Sequence, residues 1–455
     1  MRHIRDHPDL YAQTCLSRNY PNLATNPTRI IDLHVRRQTL QEDARALRER
    51  SNVLKKQLPQ LKKDAPDGEE MVHVLREAKE IKQSLAGIEK EESEAMSEME
   101  ELALALPNLT SEDTPQGADF KVLSYINDEG SSSTPKTETK ALSHVDIGTK
   151  LGILDFAAAG TASGWGWYYL VGAGSLLEHA LVSYALTVAT RSGWTPVSPP
   201  SMVYSHISSA CGFQPRDTSG EQQVYNLAQD EKDKARGVPE MSLTGTSEIA
   251  LAGMKANTTL KESELPMKRV AASRCYRAEA GARGADTKGL YRVHEFTKVE
   301  LFAWTHPDEE MTTEVFEEML DIQTEILGSL GLKCRVLEMP SHDLGASAIR
   351  KIDMEAYFPS RAIGKTPAEA EEAGWGEVTS ASICTDYQTR RLGTRMRQSQ
   401  GLGFPWTVNG TALAVPRIIA ALLEKGWDEE TGTVVLPEVL RPFMGGMERI
   451  EGGDK

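Results

Sequence analysis

The chain has 455 residues, 40% of them hydrophobic and 26% charged, with a formal net charge of −15. That length exceeds one average domain and supports a sizeable core, so two domains are expected. The acidic balance argues against indiscriminate nucleic-acid binding while leaving room for a local basic patch. No run of about 18 uninterrupted apolar residues occurs, so no membrane span is expected. Cys15, Cys211, Cys275, Cys334 and Cys384 are scattered, odd in number and contain no C-x-x-C pair. Reduced thiols in an intracellular compartment, without structural zinc, are the reading. The opening MRHIRDHPDL has no apolar h-region, so no secretory signal is expected, and no Arg/Ser-rich transit peptide is visible.

From about Thr28 to Pro107 the pattern predicts a helical hairpin. In its first arm Leu33, Leu40, Leu47, Leu54 and Leu61 recur every seven residues; in the second, Met71, Val74, Ala78, Ile81, Leu85 and Ile88 begin a 3-4 spacing that runs to Leu106. Such heptads pack two helices along a left-handed seam, and Pro66 and Gly68 in the link 62–70 permit the reversal. Arms of this length reach ~50 Å. Between Arg29 and Ala65 there are 10 Lys/Arg against 5 Asp/Glu; between Pro66 and Glu112 there are 4 against 13. A stripe of Arg45, Arg48, Lys55, Lys56, Lys62 and Lys63 near the tip suits a phosphate backbone. On composition alone, a solvated flank of paired charges is the favoured explanation.

Residues 109–143, with SSSTPKTETK at their centre, read as a linker. Beyond them Leu176–Arg191 reads as an amphipathic helix stopped by Ser192-Gly193, followed by a strand, GWTPVSPPSMV. No G-x-G-x-x-G or GxxxxGK[ST] lies between a strand and a helix, so Rossmann and P-loop folds lack their fingerprint. A mixed, mainly antiparallel sheet flanked by helices is expected for this α+β region.

The most informative stretch is Cys275–Glu300, CYRAEAGARGADTKGLYRVHEFTKVE. Its first run puts Cys275, Arg277 and Glu279 on one strand face, and its second puts His294, Phe296, Lys298 and Glu300 on one face. If the hairpin brings those faces together, one floor carries a guanidinium, carboxylates and an aromatic plate, as a site for phosphate, purine and a small ammonium-bearing substrate requires.

This stretch strongly resembles motif 2 of class II aminoacyl-tRNA synthetases, in the form used by seryl-tRNA synthetases. The resemblance spans nearly the whole chain. HVDIGTKLGILDF is similar to the start of the family's catalytic domain, and the helix and strand closing on Pro199-Pro200 resemble motif 1. LTGTSEIAL resembles the Thr-Ala-Glu segment, Glu377-Val378-Thr379-Ser380 the family's E-[IV]-[ST]-S, TVNGTALAVPRIIAALLE motif 3, and GTVVLPEVLRPFMGG the closing segment. The implied architecture is a tRNA-binding N-terminal domain (1–108) with a long antiparallel coiled coil, the linker 109–143, and a class II catalytic domain (144–455). The implied activity is ATP-dependent activation of L-serine and its transfer to tRNA(Ser) by a homodimer joined through motif 1. A paralogue that charges another acceptor, or regulates, is the alternative.

The resemblance also implies roles. Arg277 bridges the serine carboxylate and the α-phosphate. Glu279 and Ala278 meet adenine, Phe296 stacks on it, and Arg417 holds the γ-phosphate. Glu377, Val378, Thr379 and Ser380 line the nucleotide, with Glu377 and Ser380 holding Mg²⁺. Thr246 and Glu248 take the serine ammonium, while Glu300, Asn409 and Thr411 reach its hydroxyl. Two departures stand out: Ser247 where the family usually has Ala, and GWGWYYL (164–170) without a frequent Arg. The chain ends soon after the last motif, and LTGTSEIALAG and RPFMGGMERI look most like fungal mitochondrial forms. A mitochondrial matrix enzyme is therefore expected, with the cytoplasm as alternative.

Overall fold

The computed structural model describes residues 1–64, 68–128, 141–213, 223–278, 289–399 and 401–452. It divides into two compact units, Met1–Leu109 and Thr110–Lys455.

The first unit is dominated by two long helices, α1 (Asn26–Asp64) and α2 (Glu69–Ala105). The leucine heptad forms their seam: Leu33, Leu40 and Leu54 are buried with Val74, Ile81, Ala95 and Met99, while Leu47 and Leu61 pack half-buried beside them. At 39 residues α1 is ~58 Å long by its rise per residue. Lys62 and Lys63, placed in the link by the sequence, are the last turn of α1. Five cross-helix ion pairs flank the seam: Arg29–Glu98, Arg36–Glu91, Arg37–Glu92, Arg48–Glu89 and Arg50–Glu77, at 2.5–3.2 Å.

The second unit is built on an eight-stranded sheet. In chain order its strands and principal helices are β1 (Lys121–Ile126), α3 (His144–Lys150), α4 (Ala173–Arg191), β2 (Thr195–Val197), α5 (Ser247–Gly253), β3 (Met267–Tyr276), β4 (Glu295–Thr305), α6 (Glu309–Ser329), β5 (Cys334–Glu338), β6 (Arg350–Tyr357), β7 (Trp375–Thr385), α7 (Tyr387–Arg391), β8 (Trp406–Ala414) and α8 (Val415–Gly426). The strand order is β1-β5-β6-β7-β8-β4-β3-β2, antiparallel throughout except for the parallel β2–β3 pair. One sheet face packs on α4, α6 and α8 through Val299, Leu301, Met354, Val408, Phe316 and Ile419. The other face packs partly on α5, through Ala271, Phe302 and Ile249, and carries the site beside it.

Two expectations are corrected. Within the segment read as a linker, 109–143, residues 121–126 form β1, the edge strand paired with β5, while SSSTPKTETK at its centre lies outside the described residues; five of the six residues of β1 are exposed and a bulge interrupts it between Val122 and Ser124, so no clean alternation marked it. The strand read from GWTPVSPPSMV is two: β2 stops at Val197, and Met202–Tyr204 pairs elsewhere, because Pro199 and Pro200 offer no N–H to a ladder.

Candidate active site

Register assembles the floor. Cys275 pairs with Phe296, Ser273 with Lys298 and Ala271 with Glu300, so the two faces read from the sequence are one. β8 continues it by setting Thr411 opposite Glu300, and β6 sets Asp353 opposite Ser380 of β7. Arg277, just past the end of β3, is tied to β4 by its backbone N–H to the His294 carbonyl (2.9 Å).

Arg277, Phe296, Lys298, Glu377, Ser380, Thr411 and Arg417 line one cleft with Tyr291, Arg292 and Pro416. The Arg277 guanidinium lies 5.4 Å from the Phe296 ring centre, in cation–π range. Pro416 occupies the first turn of α8, where its missing N–H costs nothing, and Arg417 follows it inward. Arg417 donates to the Glu377 carbonyl (2.8 Å) and the Tyr291 carbonyl (3.2 Å), pairs with the Glu377 carboxylate (3.3 Å), and covers the Tyr291 ring at 4.5 Å. Burial pushes the Glu377 carboxyl up, but Arg417, Lys351 and Arg277 outweigh it and hold it down at about 2. The cleft thus presents the guanidiniums of Arg277 and Arg417 and an ionised acid, cations and anion already arranged for a polyphosphate.

Val378 and Thr379 also line this cleft. Val378 is in the core, and the Thr379 hydroxyl bonds the Thr411 carbonyl beneath the sheet. There Gln323 of α6 also donates to Ser380 O (2.8 Å) and Thr411 O (2.9 Å), clamping β7 to β8. Ala278 donates its N–H to the Gln223 carbonyl (3.1 Å). Glu279, with Arg283 and Lys288, lies outside the described residues.

Thr246, Glu248 and Glu300, proposed for the amino-acid end, are buried and are not among the residues lining the cleft. Glu300 is almost fully buried, 2.6 Å from Lys298 and 3.3 Å from the Thr411 hydroxyl. Thr246 caps α5 and Glu248 follows, buried, accepting from Gln388 of α7 (2.6 Å), which Thr407 holds in turn (2.7 Å). Burial, with the Glu300 charge, raises the Glu248 carboxyl to about 8 against the pull of Lys298 and Gln388. Ser247 bonds Ser273 (2.6 Å), so the extra hydroxyl is absorbed by β3. Asn409 accepts from Cys384 (3.3 Å) and does not line the cleft.

Sequence reasoning missed Tyr291, Gln388 and the charge-balancing part of Lys298; all are set by contacts between elements distant in the chain. Of the basic stripe, Arg45 pairs with Glu49 and Arg48 with Glu89, while Lys55, Lys56, Lys62 and Lys63 are exposed and make no ion pair among the described residues.

Two family models match: "Seryl-tRNA synthetase N-terminal domain" over residues 1–110 and "tRNA synthetase class II core domain (G, H, P, S and T)" over 229–426. The chain is 42% identical to the mitochondrial serine–tRNA ligase of Saccharomyces cerevisiae, over 86% of this chain and 82% of that one. The chain belongs to the seryl-tRNA synthetase family. It is 38% identical to the mitochondrial enzyme of Schizosaccharomyces pombe (97% and 87% covered) and 37% to the serine–tRNA ligase of Rhodopirellula baltica (91% and 92%). Among solved structures, seryl-tRNA synthetase from Pyrococcus horikoshii complexed with ATP superposes with a TM-score of 0.83 at 30% identity, covering 100% of this chain and 99% of that one. The synthetase fold, a helical hairpin unit and an antiparallel-sheet unit, is therefore shared along the whole length.

Proposed function

We propose that this synthetase activates L-serine with ATP and transfers it to the terminal ribose hydroxyl of tRNA(Ser). The observation that carries the reading is the convergence of Arg277, Arg417, Glu377 and Ser380 on one cleft, with Lys298, Glu300 and Thr411 continuing its floor. In the first step a serine carboxylate oxygen attacks the α-phosphorus, the bond to the β-phosphate oxygen breaks, and pyrophosphate leaves. Two anions must meet, and Arg277, in a planar fork, brings carboxylate and α-phosphate together. Arg417 takes the γ-phosphate; Phe296 supplies the adenine plate. Glu248 and Thr246 receive the ammonium, and Glu300 and Thr411 the serine hydroxyl. A pocket that hydrogen-bonds a hydroxyl rejects the analogue lacking it by roughly 10⁴–10⁵, so alanine is refused. In the second step the tRNA ribose hydroxyl attacks the adenylate carbonyl and AMP leaves.

Glu377 and Ser380 offer the oxygen donors a hard cation takes, and the buried Asp353 Oδ1 opposite Ser380 has no hydrogen-bond partner, so the residues fit Mg²⁺. When bound it would neutralise phosphate charge beside the two guanidiniums.

The hairpin's exposed tip lysines, with Arg45 and Arg48 able to exchange partners, are proposed to hold the tRNA backbone. Exposed Tyr169, Val171 and Leu176 around the start of α4, and Met202 and Tyr204 after β2, support a homodimer through the motif 1 region. The mitochondrial matrix is the proposed compartment, by similarity to the two yeast enzymes; likeness to a bacterial one keeps the cytoplasm as the alternative.

The test is pyrophosphate exchange into ATP, run with each of the twenty amino acids on purified protein. Exchange with serine alone is expected. No exchange with any of them would remove this reading.

A further inference from the structure

Behind the cleft wall that carries Tyr291 and Arg417 lies a buried pair, His144 at the start of α3 and Glu424 on α8. Glu424 Oε1 accepts the His144 backbone N–H (3.1 Å) and lies 2.9 Å from its Nδ1. The other ring nitrogen, Nε2, accepts the backbone N–H of Leu290 at 3.1 Å. A backbone amide only donates, so Nε2 carries no proton, and Nδ1–H points at the carboxylate. Glu424 also accepts the Ser360 N–H (3.1 Å) and hydroxyl (2.8 Å).

Each arm from this carboxylate leads to one aromatic ring. Leu290 precedes Tyr291. Ser360 precedes Arg361, whose guanidinium covers the Tyr291 ring at 4.1 Å. Arg417, two turns before Glu424 on the same helix, covers that ring at 4.5 Å and donates to its carbonyl. The pair lines an open pocket with Gly289, Tyr291, Ser360 and Arg361, and two glycines approach the arrangement closely. Gly289 has φ +67°, and a Cβ there would fall 2.2 Å from His144 Nε2; a Cβ on Gly376 would fall 2.7 Å from Arg361.

We propose that His144 and Glu424 are positioning residues of the nucleotide site: by fixing Leu290 and Ser360 they seat Tyr291 between its two arginines, and so set the guanidinium of Arg417 for ATP while leaving the serine pocket untouched. The inference rests on reading the cleft as the ATP site.

The test separates the two bonds of the imidazole. His144→Asn keeps a donor for Glu424 and loses the acceptor for Leu290; His144→Gln keeps an acceptor within reach. His144→Asn is expected to weaken ATP by about tenfold, the worth of one buried hydrogen bond, with kcat and the KM for serine within about twofold of the parent. His144→Gln should restore most of the loss. Should His144→Asn fail to fold, Ser360→Ala carries the test, with ATP weakened about threefold and serine unchanged. Unaltered ATP affinity in the folded variants, or parallel losses for ATP and serine with a lowered melting temperature, would overturn the proposal. Absence of ATP binding by the parent protein would instead remove the reading of the cleft.

Discussion

The helical hairpin and the site face of the sheet use ion pairs in opposite ways. Along the hairpin, arginines and glutamates meet across the seam at 2.5–3.2 Å and keep contact with water, from Arg48–Glu89 at 55% and 60% exposure to Arg37–Glu92 at 32% and 25%. On the sheet, Lys298–Glu300 meet at 2.6 Å with 8% and 2% exposure. Exposed pairs are worth about 0–1 kcal/mol and exchange partners readily. A buried pair cannot lose one member without stranding the other. A surface of exchangeable pairs suits a partner met along its backbone; a buried, fixed set suits a small substrate whose charges must land in place.

The sharpest way to break this contrast is Arg277→Ala, expected to lower serine-dependent exchange by about a thousandfold or more through lost transition-state stabilisation, with the melting temperature unchanged. Exchange within tenfold of the parent would show that the cleft's guanidinium is ordinary. Next is Lys298→Met, which leaves Glu300 and Glu248 buried without their cation. A loss of about 3–5 kcal/mol in unfolding free energy is expected from denaturant titration, and a loss below 1 kcal/mol would place the pair with those of the hairpin.

The buried acid also predicts a pH response. Glu248, raised to about 8 by burial and by Glu300, carries its proton below that pH in the empty site. A serine ammonium needs the carboxylate, so binding expels that proton. The KM for serine should therefore rise as pH falls from 8 towards 6.5, by up to about tenfold per unit, and Glu248→Gln should flatten the profile. A flat profile in the parent would contradict the assignment. The smallest effect belongs to the hairpin: Arg48→Ala should cost below about 1 kcal/mol of stability and leave exchange unaltered, and a larger loss would mean that this rung is more than an exchangeable surface pair.

Legibility followed sequence locality. The leucine heptad is a periodic signal within one segment, and α1 and α2 follow it closely. The alternation of Cys275/Arg277 and Phe296/Lys298/Glu300 told which side chains share a face, and register then joined the two faces. What stayed hidden is what depends on partners far along the chain. Gln388 reaches Glu248 across 140 positions, and Glu424 reaches His144 across 280. Edge strand β1 lacks a buried alternation because so little of it is covered. Thr379 lines the cleft while its hydroxyl bonds the Thr411 carbonyl, a cross-strand contact that the contiguous motif does not reveal.

The division of labour between the two units is tested most directly by deleting Arg36 to Leu102 and measuring both half-reactions. Serine-dependent pyrophosphate exchange is expected to persist within about twofold, since the cleft residues all lie in the second unit, while charging of tRNA(Ser) is lost. Equal charging by the shortened and the full chain would contradict the account.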